Sequence, residues 1–120
     1  MELPIALALS YPERIESNVK RLDFSELGKL TFEKVDHDRF PCFDLILQAA
    51  KQGGDYPAIA NGANEEAVRL FLEGKITYPD IYKSIYGALQ SYYGGHHIDM
   101  EHLTEADLYA RKYVKELFGF

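Results

Sequence analysis

The sequence predicts a mainly α protein: a four-helix bundle at the C-terminal end, preceded by a short helix and an extended linker with one or two isolated strands. Three observations predict it. Apolar residues recur at helical spacing in four segments after Arg39, cap-forming residues and glycine doublets separate those segments, and the first 38 residues show little periodicity. The boundary is accordingly drawn between residues 1–38 and 39–120, and 120 residues favour one core.

In the first part, Pro4 suits an opening helical turn and Tyr11-Pro12 ends it. Leu22-Asp23-Phe24 and Leu30-Thr31-Phe32 alternate as strands do, and each needs a partner strand. Cys42, Leu45, Ile46, Ala49 and Ala50 form the stripe of the first bundle helix, with Gly53-Gly54 as its stop. Asn61 to Asn64 read as the cap of a second helix, in which Glu65-Glu66 face the positive end and Ala67, Val68, Phe71 and Leu72 make the apolar side. Thr77-Tyr78-Pro79-Asp80 resembles a capping box opening a third helix, with Ile81, Ile85, Leu89 and Tyr92 on one side until Gly94-Gly95. Thr104-Glu105-Ala106-Asp107 repeats that signal for a fourth, whose stripe is Leu108, Val114, Leu117 and Phe118. Four such stripes are buried together most simply in a bundle.

Thirteen Lys and Arg against nineteen Asp and Glu give a net charge of −6, a poor match to nucleic-acid phosphates. The apolar run Ile5 to Leu9 is too short for a secretory or membrane segment, and the single cysteine, Cys42, allows no internal disulfide. These readings point to a cytoplasmic protein that binds neither nucleic acid nor membrane.

Reactive constellations are scarce. His96, His97 and His102, with Asp99 and Glu101, invite a metal reading, but they fall on an apparent inter-helix turn without the i, i+4 pair of a helical zinc site. The glycine doublets lack a dinucleotide or phosphate-loop pattern, and Cys42 lies on an apolar stripe as an inert thiol. Tyr78, Tyr82 and Tyr86 share a face that reads either as a wet border of the core or as a protein interface. Asn61-Gly62-Ala63-Asn64-Glu65-Glu66 is the strongest chemical cluster, yet an ordinary helix cap accounts for it. The residues alone describe a packing module.

As strings, several segments resemble the C-terminal part of 1-deoxy-D-xylulose 5-phosphate reductoisomerases. Met1-Glu2-Leu3-Pro4-Ile5 is similar to that family's Met-Arg-x-Pro-Ile, and Tyr11-Pro12-Glu13-Arg14 to its aromatic-Pro-x-Arg. Leu22-Asp23-Phe24, Leu30-Thr31-Phe32 and Arg39-Phe40-Pro41-Cys42 follow in order, then Asn61-Gly62-Ala63-Asn64-Glu65, close to Asn-Ala-Ala-Asn-Glu. Ala67-Val68, Phe71-Leu72, Gly74 and Ile76 keep matching spacing, and beyond Tyr92 the likeness thins to helical character.

The resemblance implies an enzyme that converts 1-deoxy-D-xylulose 5-phosphate to 2-C-methyl-D-erythritol 4-phosphate with NADPH and a divalent cation, magnesium or manganese, in non-mevalonate isoprenoid synthesis. It implies a homodimer, with an N-terminal dinucleotide domain, a central catalytic domain and this helical end. The family's glycine-rich motif, acidic metal ligands and lysine-containing substrate site lie upstream. No catalytic, cofactor or metal residue is therefore expected here; only Met1 carries over, as a substrate-pocket residue, with Pro4 behind it. The chain is expected to give support and to be inactive alone, its partners being the missing domains. Two other readings stand beside this one: a free-standing helical interaction module using the tyrosine face, and a two-chain enzyme whose other domains are encoded separately.

Overall fold

The structure, a computed structural model, describes residues 2–13, 16, 23–94 and 99–120. The described residues form six helices and no strand. They divide into two compact units, residues 1–34 and 35–120.

In the first unit, α1 (Glu2–Ser10) carries its apolar residues around its whole circumference, leaving Ile5 and Leu9 52% and 84% exposed. The two expected strands are corrected. Leu22 lies outside the described residues, and Asp23-Phe24 opens one helical turn, α2 (Phe24–Leu27). The Asp23 carboxylate accepts hydrogen bonds from the N–H groups of Ser25 and Glu26, and Gly28, at φ 69°, ends the turn. Leu30-Thr31-Phe32 is exposed and irregular, because no described strand offers it a ladder.

The second unit contains α3 (Pro41–Gln52), α4 (Tyr56–Leu72), α5 (Tyr78–Ser91) and α6 (Met100–Leu117). Pro41 starts α3 and Gly53, at φ 71°, closes it by donating its N–H to the Ala49 carbonyl. At the start of α5, the Thr77 N–H and hydroxyl both donate to Asp80 Oδ2, at 2.9 and 2.5 Å. These two helices begin where their signals predict.

The other two begin earlier. Helix α4 starts at Tyr56-Pro57, so Asn61 to Asn64 occupy its middle instead of its cap. Helix α6 is capped by Asp99, whose carboxylate accepts the His102 N–H at 2.8 Å, and Thr104 lies within it, donating its hydroxyl to the Met100 carbonyl. The buried stripes differ as well. Val68 is half-buried, while Phe71 and Leu72 are exposed on α4, where Ile59, Ala60, Ala63, Ala67 and Leu70 are buried; on α6, Ala106, Ala110 and Val114 are buried while Leu108 and Leu117 face outward.

Spacing between helices explains the exchange of large residues for small. α4 packs on α3, α5 and α6, and at its crossing with α6 a Cβ on Gly62 would stand 3.0 Å from the Asp107 carbonyl oxygen and 3.2 Å from its Cα. At that separation even a methyl group at position 62 crowds the α6 backbone, so the crossing takes no large side chain. Gly62, in the middle of α4, lies at this crossing.

Candidate functional site

Small side chains also shape an apolar recess between α3 and α4. Ala49 and Ala50 of α3 and Ala60 of α4 leave a groove of about 400 Å³, closed by Cys42, Ile46, Pro57, Asn61, Asn64 and Ile85. Pro57, Ala60, Asn61 and Asn64 recur at i, i+3, i+4 and i+7, one stripe of α4. No lining residue is charged. On α3, Phe43, Ile46 and Leu47 are 46%, 42% and 41% exposed. Burial pushes the Cys42 thiol up, which keeps it protonated at neutral pH and unsuited to nucleophilic attack.

Charged groups gather elsewhere, along α4 and α6. Glu66 is buried and accepts from Arg69 Nε and Nη2 at 3.2 and 2.5 Å, with Lys115 Nζ 4.0 Å away. The Arg69 hydrogen bonds hold the Glu66 carboxyl below its usual range against the opposing effect of burial. Arg69 also pairs with Glu73, and Arg111 Nε donates to Asp107 at 2.6 Å. These carboxylates are satisfied by cations, mainly one turn away on the same helix with Lys115 the one contact across from α6, and none of them is a poised general base.

A third cluster joins the α3–α4 turn to the end of α5. The Tyr92 hydroxyl donates to Asp55 Oδ2 at 2.5 Å, and Tyr92 stacks edgewise on Tyr56 and tilts against Tyr109. Burial first, then the Asp55 carboxylate, pushes the Tyr92 hydroxyl up to about 12. Asp55 is 3% exposed and its Oδ1 has no partner.

Met1, His96 and His97 lie outside the described residues. His102, placed on a turn by the sequence reading, sits in the first turn of α6, where its Nδ1 is 2.7 Å from Asp99 Oδ2 and that pairing raises its pKa. Among the described residues no three His, Cys, Asp or Glu side chains gather to hold a metal ion, so these residues do not fit a divalent cation. Nor do they offer the strand, glycine loop and helix of a dinucleotide site. No described helix is long and apolar enough to cross a membrane.

The tyrosine face divides. Tyr82 stacks on Tyr86 and packs against the core, whereas Tyr78 is 70% exposed and meets Phe71 edge-on. Sequence reasoning missed the groove. Its signal was that α3 carries Phe43 and Leu47 outside the stripe of Cys42, Leu45 and Ala49, more apolar surface than one buried face requires.

The family described as DXP reductoisomerase C-terminal domain matches residues 1–113. A 1-deoxy-D-xylulose 5-phosphate reductoisomerase of Laribacter hongkongensis is 44% identical over 114 residues, covering 95% of this chain and 29% of that protein. One from Acetivibrio thermocellus is 42% identical over 121 residues, covering 98% and 31%. Among solved structures, the Zymomonas mobilis reductoisomerase in complex with NADPH aligns with a TM-score of 0.81 at 36% identity, covering 98% of this chain and 31% of that one. A DOX-P reductoisomerase in complex with magnesium aligns at 0.76 and 35% identity, covering 98% and 32%. The chain thus spans about a third of the length of the relatives it matches.

Proposed function

This chain belongs to the DXP reductoisomerase C-terminal domain family, and from that premise we propose that it acts as the supporting end of an NADPH-dependent enzyme that converts 1-deoxy-D-xylulose 5-phosphate to 2-C-methyl-D-erythritol 4-phosphate. The observation that carries this reading is the family match over residues 1–113, with relatives of that enzyme name aligned to 95% and 98% of the chain. Residues 1–38 are the close of the catalytic and connective region, and residues 39–120 are the helical domain. Met1 lines the substrate pocket of the whole enzyme. NADPH and the divalent cation, magnesium or manganese, are held by upstream domains, in a cytoplasmic homodimer that engages neither nucleic acid nor membrane.

Two physical features support a supporting role. Helix α1, apolar all round yet exposed, has the composition of a helix enclosed by a larger body. Glu66, Asp107 and Asp55 are committed to Arg69, Arg111 and Tyr92, and rigid packing of this kind helps catalysis by holding other elements in productive geometry.

The test uses two proteins. The 120-residue chain incubated with substrate, NADPH and magnesium is expected to oxidise no NADPH. A chimera in which it replaces the matched segment of the Laribacter hongkongensis relative is expected to oxidise it. Turnover by the chain alone, or a folded but inactive chimera, overturns the proposal.

A further inference from the structure

The groove between α3 and α4 has no task in the bundle itself. Its lining is uncharged in a chain of which 27% is charged, while the ion pairs of Glu66, Arg69, Asp107 and Arg111 lie along α4 and α6. Depletion of charge marks the centre of protein–protein contacts. Phe43, Ile46 and Leu47, each more than two-fifths exposed, extend the apolar surface along α3.

The chemistry also selects the class of occupant. A sugar phosphate or a nicotinamide dinucleotide carries phosphate, and the groove offers it no cation. What it does offer is an apolar recess of about 400 Å³ edged by the amides of Asn61 and Asn64, one helical turn apart. Each amide presents a donor and an acceptor, matching the N–H and C=O of a peptide backbone. The middle of α4 is otherwise a poor place for two asparagines, since neither caps the helix. An apolar side chain seated in the recess with its flanking peptide groups on Asn61 and Asn64 accounts for both features.

The relatives supply the source. More than two thirds of each relative's polypeptide lies outside the match. We infer that the α3–α4 groove is the seat of an uncharged, extended loop from the upstream catalytic part of the same enzyme, anchored by one or two apolar side chains and hydrogen-bonded along its backbone by Asn61 and Asn64. This rests on the function proposed above and adds the surface through which the support is delivered.

Cys42, the chain's only cysteine, lines the groove and reports its occupancy. The experiment compares alkylation of Cys42 by iodoacetamide, located by mass spectrometry at one pH, in the isolated chain and in the Laribacter hongkongensis chimera. Occupancy is expected to slow alkylation by about tenfold or more. Asn61→Asp, which sets a charge at the exposed edge, is expected to return the rate toward that of the isolated chain while leaving the isolated chain's own melting unchanged. An active chimera in which Cys42 reacts as fast as in the isolated chain overturns the groove assignment and leaves the enzyme reading intact; a folded, inactive chimera overturns both. Protection that appears in the isolated chain as its concentration rises assigns the groove to a second copy and overturns the inference. If the chimera does not fold, the same rate is read on the 120-residue chain mixed with the relative's upstream polypeptide, where protection supports the inference and an unchanged rate overturns it.

Discussion

Removing the Tyr92 hydroxyl tests the tightest long-range polar contact in the bundle. In Tyr92→Phe, Asp55 loses the hydrogen bond to Oδ2 while Oδ1 already has no partner, so a carboxylate only 3% exposed is left bare on both oxygens. A hydrogen bond to a charged group contributes about 1.5–3 kcal/mol, and an abandoned buried acceptor costs about as much. A central loss of about 2 kcal/mol lowers the melting temperature of a domain this size by roughly 8–16 °C. The assay is thermal unfolding followed by circular dichroism, run as a double-mutant cycle with Asp55→Ala. In the Asp55→Ala background the Phe substitution should cost less than about 1 kcal/mol, since no carboxylate remains to be stranded. Equal costs in both backgrounds would refute the reasoning. The pair also has a pH signature. Because the folded pKa of Tyr92 lies above the unfolded value, its contribution is complete below pH 10 and is lost as pH rises to about 12; Tyr92→Phe should lack that alkaline decline.

Three further outcomes follow from the packing. Gly62→Val forces a Cβ to within 3.0 Å of the Asp107 carbonyl oxygen, and spreading α4 from α6 should cost about 1–3 kcal/mol in a denaturant melt. Leu70→Ala empties a fully buried site and should cost about 2–5 kcal/mol by the same assay; a cost under 1 kcal/mol would mean that the site is not core. Thr77→Ala removes one partner of the α5 cap, at about 1 kcal/mol. Lys83 and Thr77 hold the Asp80 carboxyl down at about 2, so its contribution is present at neutral pH and is lost as the pH falls from about 4 toward 2; the Thr77→Ala acid titration should show a shallower loss.

The legible parts of the fold were those written in local chemistry. Pro41 and Gly53 bracket α3, and Thr77 with Asp80 opens α5, because a cap is a contact between residues three or four apart. The start of α4 was readable in Asp55-Tyr56-Pro57, but the asparagines further on imitate a cap and drew the boundary inward. Asp99 offered the same information for α6, where Thr104 competed with it. The strand expectation failed at Phe24 because Asp23 and Gly28 enclose a complete helical turn, a signal more local than alternation.

The sequence by itself determined that four helices follow Arg39 and, through its ordered strings, the family to which the chain belongs. It also determined which residues share each helical face, since a period of 3.6 requires no knowledge of neighbours. Only the tertiary structure decided which face is covered. On α4 the folded chain buries Ala63 and Ala67 and leaves Phe71 and Leu72 exposed, its Gly62 lies close against α6, and the groove needs three helices to exist at all. Asp55 and Tyr92 stand 37 residues apart and meet only in the folded chain. Periodicity records the angle of a side chain about its own axis; the distance between axes is set by packing, and no single helix carries it.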